Sequence, residues 1–164
     1  MATTQEYALL SLYVYDVRNK LVNRPSLPSG WTSLEIHPDN TIGFSYGIFQ
    51  SLSTGETVIA YTGTNETVDW VSNINAGAGL QSPQVANAAL VYQQAKAKYG
   101  SNITLSGHSL GGGLASIMAS WFNRPAVVFD QGPFQLTAIN LASLAWTKVS
   151  WRWPGIPIRQ WITP

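Results

Sequence analysis

The stretch Ile103-Thr104-Leu105-Ser106-Gly107-His108-Ser109-Leu110-Gly111-Gly112-Gly113-Leu114-Ala115 decides the fold. Residues 103–105 are a short run that predicts a strand, and residues 109–122 predict a helix opening on three consecutive glycines. Gly107 and Gly111 stand two residues either side of Ser109, so the turn between strand and helix is G-x-S-x-G. The spacing has a steric reason. On a sharp turn, side chains at those two positions would collide with the strand and the helix, and glycine removes both collisions. Ser109 Oγ then stands exposed at the C-terminal edge of the sheet, where α/β folds bind ligands. The helix N-terminus beside it favours developing negative charge.

Working outward, residues 126–129 form a second apolar strand. Upstream, Ser82-Pro83 marks a helix start, with Ser at the N-cap and Pro at the first helical position. Val85, Ala88, Ala89, Tyr92 and Tyr99 give that helix its apolar face, and Gly100 ends it. Residues 41–50 and 57–61 read as strands around the turn Ser53-Thr54-Gly55-Glu56. The run Val58-Ile59-Ala60-Tyr61 suits a strand covered on both faces. A first helix opens on a Thr3/Glu6 capping box and carries Tyr7, Leu10, Val14, Val17 and Leu21 at helical spacing. A loop rich in Pro, Ser and Gly follows from Asn23 to Gly30, and His37, before the first strand, also reads as loop. The order after residue 40 is strand, strand, helix, strand, helix, strand, which predicts an α/β sheet that becomes parallel.

Composition narrows the chemistry. The 164 residues carry 9 Lys+Arg against 8 Asp+Glu, and charged residues are 10% of the chain. Near-neutrality with scattered basic residues argues against a nucleic-acid partner. No apolar run is long enough for a transmembrane segment. With no Cys and 2 His, thiolate catalysis is excluded and no metal or other cofactor is expected. The N-terminal residues lack the pattern of a signal peptide, and both secreted and cytoplasmic residence are compatible with the sequence.

A G-x-S-x-G turn can simply join a strand to a helix. Its setting here, and the continuation through Gly113, favour a nucleophile elbow. No Lys follows the glycines, as a phosphate-binding loop requires, and Ser116 stands where a dinucleotide fingerprint needs Gly or Ala.

Two blocks carry a resemblance to a family. One is residues 58–64, Val-Ile-Ala-Tyr-Thr-Gly-Thr, followed by Asp69, Trp70 and Asn73; the other is residues 105–115. Together they resemble the class 3 lipases of the α/β-hydrolase superfamily, over roughly residues 5–134. Thr62 departs from the Arg usual at its position. The resemblance implies a three-layer sandwich around a mostly parallel central sheet. It implies that Ser109 attacks an ester carbonyl while the Leu110 amide and Thr64, through its N–H and its hydroxyl, form the oxyanion hole, with Gly107 and Gly111 as the motif glycines. The alternative for Thr64 is a turn residue after Gly63. Trp70 reads either as lid or as core anchor. Asp130, closing the strand at 126–129, is a candidate triad acid or a turn residue. His108 reads as structural in the motif.

Such folds order their triad Ser, acid, His, and no His follows Ser109. His37 is left as a remote alternative for the base. The 55 residues after Ser109 are short for the remaining strands, each strand–helix–strand unit taking about 30. The expectation is therefore a truncated α/β-hydrolase-like fold over residues 1–140, with an atypical tail at 141–164. That tail holds four of the 7 Trp, and no Asp, Glu or His occurs after Asp130. A truncated sheet would leave an open edge, which predicts a homo-oligomer. The leading function is a carboxylic ester hydrolase acting on an ester or lipid, weakly active without its base. The alternatives are a non-catalytic scaffold and an acyl- or lipid-binding module.

Overall fold

A computed structural model of the chain describes residues 2–19, 25–38, 43–62 and 83–131. Its elements, in chain order, are α1 (Thr4–Asn19), β1 (Trp31–His37), β2 (Tyr46–Ser51), β3 (Thr57–Tyr61), α2 (Pro83–Tyr99), β4 (Ile103–His108), α3 (Leu110–Phe122) and β5 (Ala126–Phe129).

The strands form one sheet in the order β1-β2-β3-β4-β5. The first three pair antiparallel, and β3, β4 and β5 pair parallel. Antiparallel neighbours can be joined by a tight turn, as β2 and β3 are. Parallel neighbours need a crossover, and α2 and α3 lie between the parallel strands in sequence. All five residues of β3 are buried. Val58 and Ala60 pack with Tyr7, Leu10 and Val14 of α1, whereas Ile59 and Tyr61 pack with Val85, Tyr92, Leu114 and Ile117 of α2 and α3. Successive strand residues face opposite ways, so α1 covers one face of the sheet and the other two helices cover its reverse. The architecture is an α/β three-layer sandwich whose sheet turns parallel from β3 onward.

Local signals in the sequence are realised as hydrogen bonds. Thr3 Oγ1 accepts the Glu6 amide at 3.2 Å, and the Glu6 carboxylate accepts the Thr3 amide at 2.7 Å, a complete capping box. Beyond α2, Gly100 takes φ 86°, and its amide donates to the Lys96 carbonyl at 3.1 Å.

β1 is a strand the sequence reading did not anticipate, and it corrects the reading of His37 as loop. It is an edge strand, mostly half-buried, with polar Thr32, Ser33 and Glu35, and a bulge between Ser33 and Glu35 interrupts its alternation. His37 is its last residue, so it lies in the sheet. β2 starts at Tyr46 and not at residue 41. β4 continues three residues beyond the strand expected at 103–105, through Gly107 to His108. Among the described residues no helix is long and apolar enough to cross a membrane.

Candidate active site

Ser109 sits between the last residue of β4 and the first of α3, with φ 53° and ψ −121°. A non-glycine residue with positive φ is strained by about 1–3 kcal/mol and persists only where its surroundings fix it. Two backbone bonds do so. The Ser109 amide donates to the Phe129 carbonyl of β5 at 2.9 Å, and the Ser109 carbonyl accepts the Gly113 amide at 3.1 Å. The chain thus leaves β4, makes one forced step at Ser109 and enters α3.

The glycines allow this crowding. A Cβ on Gly107 would lie 2.4 Å from the carbonyl carbon and oxygen of Gly111. One on Gly111 would lie 2.1 Å from the Tyr61 carbonyl oxygen at the end of β3. Both obstacles are backbone, which has no rotamer by which to retreat. The first turn of α3 is therefore wedged against β3 and folded back on β4, and Ser109 is pushed out at the C-terminal edge of the parallel strands.

Leu110, the first residue of α3, is buried, and its amide is one of the first-turn donors that no helical carbonyl can satisfy. It is adjacent to Ser109, the position expected of the first oxyanion donor. Thr64, the expected second donor, lies outside the described residues, as does Trp70. The segment leading to Thr64 is nonetheless anchored. Thr62 is buried, its amide donates to the Ser45 carbonyl at 3.1 Å, and its hydroxyl pairs with that of Ser45.

Asp130 follows β5 directly, with φ 43° and a side chain 91% exposed. Its carboxylate lies 3.7 Å from His108 Nε2. The next residue, Gln131, accepts a hydrogen bond from the Ser116 hydroxyl of α3 at 2.7 Å, and its Cα would be 3.2 Å from a Cβ on Gly112. The end of β5 is thereby pinned over the start of α3. The His108 ring meets Tyr15 edge-on at 5.9 Å, and the Tyr15 hydroxyl donates to the His108 carbonyl at 2.9 Å. The structure thus brings Ser109, Leu110, His108 and Asp130 to one sheet edge, together with Tyr15. Sequence reading did not single out Tyr15, because its partner is 93 residues away and neither belongs to a shared local pattern.

His37 stands apart. It pairs across the sheet with Tyr46, Tyr46 with Tyr61, and Tyr61 with Gly107. Three strand spacings, about 14 Å, separate it from the Ser109 strand. Its ring stacks on Tyr46 at 4.5 Å and bonds Glu35 at 3.1 Å. Glu35 also accepts Lys98 Nζ at 2.7 Å and the Tyr99 hydroxyl at 2.5 Å, and these two hydrogen bonds chiefly hold its carboxyl down at about 2. This cluster ties the β1 edge to α2.

A second carboxylate is buried at the opposite end of the parallel strands. Glu56 is 3% exposed and accepts the Tyr7 hydroxyl at 2.5 Å, the Thr104 hydroxyl at 2.6 Å and the Ala2 amide at 2.8 Å. Burial pushes its carboxyl up, but the bonds from Thr104, Tyr7 and Ala2 outweigh this and hold it below the ordinary value. Burial and the Glu56 bond in turn push the Tyr7 hydroxyl up to about 12. Glu56 therefore fastens α1 to β3 and β4 from below.

A strained serine turn stands at the C-terminal edge of a three-layer α/β sheet, and the fold is that of the α/β hydrolases. The chain belongs to the phospholipase-like family: the Tle-like phospholipase domain matches residues 6–140. It is 34% identical over 130 residues to an extracellular phospholipase A1 of Serratia liquefaciens, covering 75% of this chain and 40% of that protein. The fold is similar to that of Lip2 lipase from Yarrowia lipolytica, with a TM-score of 0.52 at 14% identity over 78% of this chain and 57% of that one. The nonglycosylated form of that lipase gives a TM-score of 0.51 at 16% identity, over 76% and 56% of the two chains. The chain thus spans less than two thirds of the length of each of these relatives.

Proposed function

We propose that the chain carries the nucleophile and oxyanion hole of a serine-dependent lipid ester hydrolase acting on the acyl ester of a phospholipid. The observation that supports this most is the strained backbone of Ser109 in a turn whose flanking glycines admit no side chain. The phospholipid substrate is inferred from the family and from the Serratia relative.

In this reading Ser109 Oγ attacks the acyl carbonyl, and the oxyanion that forms accepts hydrogen bonds from the Leu110 amide and from Thr64. Donors already in place are worth roughly 3–4 kcal/mol each, because they need no reorganisation as charge develops. Collapse of the oxyanion breaks the ester C–O bond and expels the lysophospholipid alcohol, which takes up the serine proton; water then attacks the acyl-serine, releasing the fatty acid and restoring the Ser109 hydroxyl. Asp130, closing β5, is assigned the acid position, and Trp70 a covering role over the acyl groove.

The serine proton needs an acceptor. Of the 2 His, His37 is held at the far edge of the sheet and the His108 ring meets Tyr15 and Asp130. Loss of a triad base leaves roughly 10³–10⁴-fold catalysis over water from the oxyanion hole and binding. Slow turnover of activated esters is the activity expected of these 164 residues. The same placement of the histidines favours a second reading, a hydrolase-derived binding protein that holds an acyl chain without turnover. Release of p-nitrophenol from a short-chain ester separates the two: a burst abolished by Ser109→Ala supports hydrolysis, and its absence in the folded chain supports binding.

A further inference from the structure

We propose that Tyr15 is a positioning residue for Ser109, acting through the peptide bond between His108 and Ser109. The inference rests on the reading of Ser109 as nucleophile. That peptide is held at both ends. Its N–H, from Ser109, donates to the Phe129 carbonyl of β5 at 2.9 Å, and its C=O, from His108, accepts the Tyr15 hydroxyl at 2.9 Å. The two groups of a trans peptide point in opposite directions, so β5 and α1 fix its plane from opposite sides. With this plane fixed, and the next one held by the Gly113 amide on the Ser109 carbonyl at 3.1 Å, the Ser109 backbone is held from both sides at φ 53°.

Among the described residues the β3–β4 pairing runs to Tyr61 with Gly107, one residue short of His108, while His108 itself pairs with Phe129 of β5. The Tyr15 hydroxyl donates to the His108 carbonyl at the point where the chain turns. The tyrosine ring also packs edge-on against His108 at 5.9 Å, which directs the hydroxyl to the carbonyl.

α1 delivers Tyr15 in register with β4. One helical turn earlier, the Ser11 and Ser106 hydroxyls are 2.7 Å apart, and Ser106 Oγ donates to the Val127 carbonyl at 2.8 Å. Four helical residues rise about 6 Å and two strand residues about 6.6 Å. Ser11 and Tyr15 therefore match Ser106 and His108 step for step, and α1 is docked along the strand that ends in the serine.

The test is Tyr15→Phe in the full chain, which keeps the ring on His108 and removes only the hydroxyl. The expected result is a kcat for p-nitrophenyl butyrate lowered about 5- to 10-fold, the scale of one lost hydrogen bond, with KM unchanged. The Ser109 amide resonance in ¹⁵N-resolved spectra shifts as the His108 carbonyl of the same peptide loses its donor, and the protein stays folded at the assay temperature. Wild-type kcat with an unshifted Ser109 resonance overturns the proposal. So does a rate loss that follows the folded fraction, which would make Tyr15 a packing residue only. Where turnover is too slow to measure, the Ser109 resonance decides alone. Ser109→Ala run alongside keeps the two readings separate: activity surviving that change refutes the nucleophile and leaves the resonance test of Tyr15 standing.

Discussion

The carbonyl oxygen of Tyr61 lies 2.1 Å from where a Cβ on Gly111 would stand. This contact between the end of β3 and the start of α3 fixes how closely the elbow helix approaches the sheet, and only glycine permits it. Gly111→Ala must push α3 away from β3, at a cost of about 3 kcal/mol or more, because the obstacle is backbone on both sides. Gly107→Ala meets the Gly111 carbonyl at 2.4 Å and is expected to cost a similar amount. Gly30→Ala is the control, since it has positive φ but no atom within 4 Å, and about 1 kcal/mol is expected there. Urea unfolding midpoints check all three.

Glu56 predicts a large effect far from the serine. Glu56→Ala leaves the Tyr7 hydroxyl, the Thr104 hydroxyl and the Ala2 amide without their shared acceptor in a buried site. Each unsatisfied donor costs about 1–3 kcal/mol, and a total of about 3–5 kcal/mol is expected after relaxation. Thermal unfolding should show the loss.

The same carboxylates set the acid limit of stability. Glu35 is held down at about 2 and Glu56 below its ordinary value. A carboxylate whose folded pKa is depressed contributes stability that is present above its unfolded pKa, near 4.5, and lost as pH falls through the folded one. Melting temperature should therefore be flat from pH 7 to about 5 and fall steadily below that. Glu35→Gln should make the fall shallower. A wild-type curve flat to pH 3 would contradict this.

Thr64 carries the second oxyanion donor in the proposed mechanism. Thr64→Ala should lower kcat about 10²-fold with little change in KM, as removal of a transition-state donor does, and Thr64→Ser should retain most of the rate. Steady-state kinetics on a p-nitrophenyl ester, with folding checked by circular dichroism, distinguish this from a turn residue, for which both changes would be nearly silent.

Among the described residues β5 pairs only with β4, and an open edge is a template for a second chain. Light scattering at micromolar concentration is expected to give a dimer or larger species, and a monomer would contradict association through this edge.

What could be read from the sequence divides along a physical line. The G-x-S-x-G turn was legible because its glycines and serine stand within five residues of one another, and the collision at Gly107 is with Gly111 itself, although the Tyr61 carbonyl that demands glycine at 111 comes from a distant strand. The Thr3/Glu6 capping box and the apolar run of β3 were legible for the same reason, each being a local pattern. β1 was not, because an edge strand half-buried along its length and bulged at Ser33/Glu35 loses the period that marks a strand. Nor were Tyr15 or the Glu56 clasp, whose partners lie 48 to 93 residues away in sequence. Such contacts exist only after the layers have packed.

The most direct measurement is covalent labelling with a fluorophosphonate, followed by mass spectrometry of the peptide that contains Ser109. An adduct on Ser109, absent from Ser109→Ala and slowed in Thr64→Ala, is the result expected of an elbow serine with a working oxyanion hole. A folded chain that takes up no label, or takes it elsewhere, would contradict the assignment of Ser109 as nucleophile.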